Sequence, residues 1–380
     1  MFEVVNNRQI IFGENKVLEI PSILKWYGCK KVFLVIYNKN TEDFKKIAEA
    51  LDKNGIGYVA YDSIIGEPDL HMINNGHDLF VAENCDCTIA VGGGSVIDSA
   101  KAINMLTANG GNIEEYQMNG KAVTKISPLF IAIPTTSGTG AEATKVSVVY
   151  NNYNGLKKSL YHTTMIADIV ILDPTMTVSL PAKITAATGM DALSHAIESY
   201  VSLNANPLSE MYGLKALELI NENLEEACKN PNNLQARGAM MLGSYLGGCA
   251  ITAGIGIAHI MAQPIGAMYH IPHGDACSIF ITNAMELNLD YSLKKYVKIA
   301  ETLKVADPSL SDRENALRGI ERIKELRKAI NAPASLKPYI KDEPNMDFII
   351  ETVKKTTGHI TCNPCPLTEE LMKTIWNNSL

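Results

Sequence analysis

The chain has 380 residues, of which 46% are hydrophobic and 20% charged, with a net charge of −7. That length supports two domains and a substantial core, and the acidic balance leaves no electrostatic footprint for nucleic acid. No apolar run reaches the roughly 18–20 residues of a membrane span, and "MFEVVNNRQIIFGENK" lacks the basic and apolar blocks of a secretory leader, so a cytoplasmic protein with no membrane or nucleic-acid partner is expected.

Taken in chain order, the first half alternates between two patterns. "KVFLVIY" (31–37) is a short β-branched run and predicts a buried strand. "TEDFKKIAEALDKNG" (41–55) has helical spacing with Thr41 at its start and Gly55 at its end. Strand-like 57–62, helical 72–84, strand-like 87–93, helical 95–109 and strand-like 128–134 follow. Strand and helix in alternation predict a parallel sheet covered on both faces. After about Pro181 long helical patterns take over, at roughly 183–203, 207–229, 233–250 and 255–269, with "SLNANP" (202–207) as the clearest break. The expected division is an α/β domain over 1–183 and an all-α domain over 184–380.

Two loops in the first half are candidate ligand sites. "TIAVGGGSVIDSAK" runs from a strand through Gly92, Gly93 and Gly94 into a helix start. Glycines let a backbone approach a phosphate, and a helix N-terminus offers free N–H groups. Ser95 suits an N-cap or a phosphate contact. The pattern is neither GxGxxG nor a Walker loop, so on this segment alone a plain tight turn competes evenly. "PLFIAIPTTSGTGAE" is a second strand entering a hydroxyl-rich loop, with Thr135, Thr136 and Thr139. Two such loops at the carboxyl edge of one sheet suit a dinucleotide better than one.

In the second half, "GMDALSHAIESY" places Asp191 and His195 four residues apart, on one side of a helix. Alone, such a pair is most often a surface contact. "GIGIAHIMAQPIGAMYHIPHGDA" adds His259, His270 and His273, three of only eight histidines. Read as a helix ending before Pro272, it holds His259 among small apolar residues, costly for an imidazole without a partner, and leaves His273 in the loop beyond. Asp191, His195, His259 and His273 would give one oxygen and three nitrogen donors, a set suited to Fe²⁺ or Zn²⁺. The cysteines are scattered; Cys362 and Cys365 form a lone CxxC, weak evidence for zinc, and reduced non-ligand thiols are expected.

"VGGGSVIDSAK", "PTTSGTGAE", "GMDALSHAIESY" and the segment ending "IPHG", in this order along nearly the whole chain, resemble the iron-containing (group III) alcohol dehydrogenases. The resemblance implies a nucleotide-binding α/β N-terminal domain with a parallel sheet, a helical metal-binding C-terminal domain (the fold shared with dehydroquinate synthase) and a cleft between them. It implies NAD, with NADP admissible, and Fe²⁺, with Zn²⁺ admissible. Asp191, His195, His259 and His273 match the family's metal ligands, and Gly92, Gly93, Gly94 and Ser95 its pyrophosphate loop. Asp98 and Lys101 lie in the "GGGSxxDxAK" pattern, and Thr135, Thr136 and Thr139 match a second cofactor loop. Lys157 and Leu172 fall where such enzymes contact the cofactor.

Three positions depart from the family. Asn38 stands where many relatives carry an acidic ribose-binding residue, Gln263 where many carry a histidine, and Asn363-Pro364-Cys365-Pro366 where many carry Asn-Pro-Arg-Pro. With Gln263 unable to titrate, His270 is the nearest spare imidazole for proton transfer, against relay through ribose hydroxyls and water. Asp98 is carried as a second catalytic candidate.

The expected activity is NAD(P)-linked alcohol oxidation or aldehyde reduction on a short primary alcohol, by a homodimer or higher homo-oligomer. A glycerol dehydrogenase-like polyol enzyme, a dehydroquinate synthase-like lyase and a non-enzymatic metabolite binder are the rivals. The lyase would need cations around its metal motifs, yet between 185 and 285 only Lys215, Lys229 and Arg237 are basic. Ala250, Thr252, Ala253 and Gly254 before His259 leave room for substrate, and His359 admits an anionic end.

Overall fold

The computed structural model describes residues 2–153, 156–340, 345–355 and 361–380; His359 lies outside them. The described chain divides into two compact units, one of residues 3–136 and 140–178, the other of residues 179–380 together with 137–139.

The first unit is built on a six-stranded sheet in the order β1-β8-β5-β4-β2-β3, parallel at every pairing. Its strands are β1 (Gln9–Phe12), β2 (Lys31–Ile36), β3 (Gly57–Tyr61), β4 (Cys87–Gly92), β5 (Phe130–Pro134) and β8 (Ile169–Leu172). Both faces of the central strands are buried, as a covered parallel sheet requires. Val32, Leu34, Ile89, Val91, Ile131, Ile133, Ile169 and Ile171 pack into one core cluster, while Phe33, Val35, Ala90, Ala132 and Val170 between them are equally buried. The intervening helices are α1 (Ile20–Tyr27), α2 (Glu42–Lys53), α3 (Leu70–Ala82), α4 (Gly94–Asn109) and α5 (Ile113–Met118). Thr41 caps α2 by accepting from the Phe44 N–H at 3.2 Å.

Six elements of this unit exceed the sequence expectations: β1, α1, α5, β8 and the pair β6 (Val146–Asn151) and β7 (Leu156–Tyr161). β1 is a four-residue edge strand, too short for a clear period, and α1 before β2 was not anticipated. β8 is the plain apolar run "IVIL", whose signal was available. The antiparallel pair β6 and β7 stands apart from the main sheet. The Asn154-Gly155 dipeptide between them is a hairpin signal in the sequence.

The second unit is helical. It contains α6 (Ala182–Val201), α7 (Pro207–Lys229), α8 (Leu234–Ala250), α9 (Ile257–Tyr269), α10 (His273–Asn288), α11 (Leu293–Thr302), α12 (Asp312–Ala329), α13 (Met346–Lys355) and α14 (Glu369–Asn378). Pro207 opens α7 behind an Asn206 cap, as its position in "SLNANP" implied. From Met190 to Val201 every residue of α6 is buried, so the helix runs through the core rather than along the surface. It packs against α7, α8, α9 and α10. Among the described residues no single helix is long and apolar enough to cross a membrane.

Candidate metal centre and nucleotide loops

The sheet order reverses between β2 and β4: the chain runs outward to β3, returns to β4, then builds away through β5. Open α/β sheets bind ligands outside the strand carboxyl ends at such a switch point. Register aligns those ends, with Ile36 opposite Val91 and Gly92 opposite Pro134. The loops carrying Asn38, Gly92–Ser95 and Thr135–Thr136 therefore leave one edge together. The Thr135 N–H donates to the Gly92 carbonyl at 3.0 Å. A Cβ on Gly92 would stand 2.7 Å from Val96, so the turn tolerates no side chain there.

Ser95 does not cap α4. Gly93 is the N-cap and Ser95 the second helical residue, because the third glycine already adopts helical geometry. The Ser95 carbonyl accepts from the Ser99 hydroxyl at 2.8 Å. Thr139 clusters with the helical unit, whereas Thr135 and Thr136 stay with the sheet. Asn38 is half-buried just after β2; its Oδ1 accepts from the Asn40 N–H at 2.8 Å, and neighbouring Lys39 pairs with Asp62 at 3.0 Å.

The remaining loop candidates are occupied by the protein itself. Asp98 accepts from the Val148 N–H at 3.0 Å and pairs with Lys101 at 3.4 Å, tying α4 to β6. Lys157 pairs with Glu67 on the β7 side. Leu172 is fully buried at the end of β8 opposite Phe12, so only its backbone is available to a ligand.

In the helical unit, three helices bring Asp191, His195, His259 and His273 together. Asp191 and His195 lie on α6, His259 in the first turn of α9, and His273 on α10. His273 is the first residue of that helix, not a loop residue, because Pro272 starts a new helix instead of merely ending the old one. His270 caps α9 in the left-handed conformation, with φ 53°, and is exposed. Gln263 is exposed on α9, and Pro264 follows it inside the helix.

Asp191 Oδ1 is the hub. It stands 3.2 Å from His259 Nε2, 3.6 Å from His273 Nε2 and 3.7 Å from His195 Nε2. The two longer separations exceed a hydrogen bond. They fit donors sharing one ion, since donors about 2.0–2.2 Å from a tetrahedral centre lie about 3.3–3.6 Å apart. The His195 and His259 rings stack with centroids 4.5 Å apart. Buried His195 has no hydrogen-bond partner for Nδ1 among the described residues. Its Nε2, 3.7 Å from Asp191 Oδ1, is the nitrogen an ion at the cluster would take. Burial disfavours charge on Asp191, but the imidazoles of His195, His273 and His259 outweigh it and hold the carboxyl well below the usual range. Burial, against the pull of Asp191, pushes His195 down to about 4 and keeps it neutral at neutral pH. Against burial, Cys277, Glu198 and Asp191 raise His259, and Cys277 and Asp191 raise His273, so a divalent cation entering the cluster displaces protons from those two rings. The His273 side chain keeps 44% exposure, which leaves the cluster open on that side.

Two further residues complete the site. Glu198, seven residues after Asp191 and on the same face of α6, is buried. Its Oε2 lies 2.5 Å from His259 Nδ1, and its Oε1 accepts from the Ala258 N–H at 2.6 Å. One carboxylate thus orients the His259 ring and caps the α9 N-terminus. Gly256 permits the approach: a Cβ there would meet Asn363 Oδ1 at 2.7 Å and Glu198 Oε1 at 3.1 Å. Glu198 stands inside "GMDALSHAIESY", and the i, i+4, i+7 spacing of Asp191, His195 and Glu198 was the signal for it. Cys277, one turn after His273, is the other; its spacing repeats that of Asp191 and His195.

In the third departure only Cys365 differs, and Asn363, common to both patterns, has a structural role. It accepts from the Ile257 N–H at 3.3 Å and exchanges bonds with Asn288 at 2.9 and 3.0 Å, holding the C-terminal segment to the start of α9. Cys362 donates to the Ile255 carbonyl at 3.1 Å, and the eight cysteines are free thiols. Ala250 and Ala253 are buried at the end of α8 and in the short turn after it, while Thr252 is exposed.

Comparison with known proteins agrees with this architecture. Residues 7–174 match the model of the iron-containing alcohol dehydrogenases, and residues 185–380 match the C-terminal domain model of the Fe-containing alcohol dehydrogenase family. The chain is 32% identical to an NAD-dependent methanol dehydrogenase of Bacillus methanolicus, with 97% of each covered. It superposes on a crystal structure of 1,3-propanediol oxidoreductase with a TM-score of 0.96 at 30% identity, covering all of both chains. A sulfoacetaldehyde reductase from Bifidobacterium kashiwanohense in complex with NAD⁺ gives a TM-score of 0.90 at 26% identity, over 100% of this chain and 98% of that one. The chain belongs to the iron-containing alcohol dehydrogenase family, and its fold is that family's: a parallel-sheet α/β domain followed by a helical domain.

Proposed function

We propose that the protein is a metal-dependent, NAD(P)-linked alcohol dehydrogenase working also as an aldehyde reductase, on a short primary alcohol or aldehyde, with a polar or anionic end admitted. The observation that carries this reading is the Asp191, His195, His259 and His273 cluster, buried but for the His273 side chain, in a chain of this family. Asp191, His195, His259 and His273 would hold a divalent ion, Fe²⁺ or Zn²⁺, that would supply Lewis acidity, and a bound nicotinamide would supply the hydride chemistry. Asp191 contributes the negative charge that anchors the ion, and Glu198 fixes the His259 ring toward it. Gly92, Gly93 and Gly94 present the α4 N-terminus to a pyrophosphate, with Ser95, Thr135, Thr136 and Thr139 as hydroxyl donors. Asn38 is assigned to the adenosine ribose. Asp98 holds the α4–β6 contact beneath the loop, and His270 is assigned the proton exchanged with solvent.

The lyase reading loses further ground because Arg237 is committed to Thr185 at 2.8 Å and to the Pro231 carbonyl at 3.0 Å. A homo-oligomer is supported by the edge strand β1, where Ile10 and Phe12 each keep 46% exposure and no second strand pairs among the described residues. A cytoplasmic location is supported by the free thiols. The test is a panel of aldehydes given to metal-free, Fe²⁺-loaded and Zn²⁺-loaded protein under anaerobic conditions, with NADH and with NADPH. Metal-dependent oxidation of reduced nicotinamide by short aldehydes is expected, with iron the better metal. Undiminished turnover by metal-free protein overturns the metal assignment, and none with any aldehyde favours a binding protein.

A further inference from the structure

We propose that Cys277 is an additional donor at the metal centre, its sulfur completing with Asp191, His259 and His273 a four-donor cage for a thiophilic divalent ion such as Zn²⁺ or Co²⁺. The inference rests on the metal-centre reading and adds to it a residue outside the set of one carboxylate and three imidazoles.

Cys277 and His273 are four residues apart on α10 and face the same way. Cys277 Sγ lies 3.7 Å from His273 Nε2 and 3.8 Å from Asp191 Oδ1. One ligand atom each from Asp191, His259, His273 and Cys277 all lie within 4.8 Å of one another. A sulfur about 2.3 Å from an ion whose nitrogen and oxygen donors stand about 2.0–2.1 Å away is separated from them by about 3.5–3.6 Å. The separations of the sulfur from His273 Nε2 and Asp191 Oδ1 reach that geometry with shifts of a few tenths of an ångström. The Cys277 side chain is fully buried, so no solvent competes for the sulfur. A buried cysteine commonly serves as a small hydrophobic filler. This one instead points its sulfur at a carboxylate and an imidazole of the cluster.

Two donor sets therefore share Asp191, His259 and His273. His195 completes one with nitrogen, and Cys277 completes the other with sulfur. Coordination breaks the S–H bond, forms a sulfur–metal bond and releases the proton to solvent. Soft thiolate donors select zinc over harder ions, so Cys277 shifts the site's preference away from iron.

The experiment is anaerobic titration of the metal-free full chain with Co²⁺, followed by absorption spectroscopy. The wild type is expected to show visible ligand-field bands together with a near-ultraviolet thiolate-to-cobalt charge-transfer band. Cys277→Ala is expected to keep the first and lose the second. In a competition assay its Zn²⁺-to-Fe²⁺ affinity ratio should fall about tenfold or more. Cys277→Ser, closer in size, carries the same measurements if the alanine variant folds poorly. Ligand-field bands without charge transfer in the wild type overturn the Cys277 assignment and leave the metal centre standing. Charge transfer that persists in both variants assigns the sulfur elsewhere and also overturns it. No cobalt spectrum at all overturns both readings.

Discussion

The two candidate sites of this chain are made of different material. The nucleotide loops are backbone, glycine and hydroxyls at the ends of neighbouring strands, each loop contained in fewer than about ten residues. The metal cluster is made of side chains from α6, α9 and α10, all buried but that of His273, drawn from positions 191 to 277. A loop site follows from local chain geometry and tolerates change at most of its side chains. A side-chain cluster exists only when three helices pack in register, and it concentrates its chemistry in a few atoms. Substitutions in the cluster should therefore cost far more than substitutions in the loops.

The largest expected effect is at His259. His259→Ala removes the imidazole 3.2 Å from Asp191 and leaves Glu198 without its partner. Turnover should fall by about 10³-fold or more, the several kcal/mol of charge stabilisation that a bound ion supplies. Metal analysis of the purified variant should show the metal lost in parallel. A variant that retains metal and rate would break the contrast between the two sites.

Next is His270, beside the cluster in sequence but outside it. His270→Gln should slow aldehyde reduction by about 10²-fold, with metal content unchanged. An unchanged rate would make His270 a helix cap only, with the proton travelling through ribose and solvent. Glu198→Gln sharpens the comparison differently, since it keeps the shape and removes the charge behind His259. Metal affinity is expected to weaken by about 10–100-fold, measured by chelator competition.

On the loop side the effects shrink. Asn38→Asp places a charge beside the adenosine ribose and should raise discrimination against NADP(H) by about tenfold, about 1.4 kcal/mol, read as the ratio of kcat/KM values. Lys39 offers the extra phosphate little help in the wild type, because it is paired with Asp62. An unchanged ratio would place cofactor choice elsewhere.

The last effect is on the stability of the sheet unit rather than on turnover. Burial raises Glu142 to about 7, with Lys101 opposing and Asp98 reinforcing. The folded protein therefore holds a proton that the unfolded chain releases at an ordinary carboxylate pKa near 4.3. This group makes no difference below that value and removes stability progressively as pH rises from there to about 7. Glu142→Gln should flatten the fall in unfolding free energy across that window, measured by denaturant titration at several pH values. An identical pH profile would show the carboxyl to be solvated in solution.

The sequence by itself determined the alternation that makes a covered parallel sheet, the glycine turn at Gly92, the long helices after Pro181 and the pairing of Asp191 with His195. These are short-range properties: hydrophobic period, cap chemistry and backbone freedom are written within a few residues. Tertiary structure decided the rest. Ser95 could not be separated from Gly93 as the cap, because that depends on where the backbone turns helical. His273 joined α10 because Pro272 can begin a helix as well as follow one. Glu198 and Cys277 sat unread at helical spacing beside recognised residues, since a carboxylate or thiol on a buried face acquires a role only from what packs opposite. What faces Glu198 is the start of α9, sixty residues on, and what faces Cys277 is Asp191, from a helix whose register against α10 no local pattern specifies.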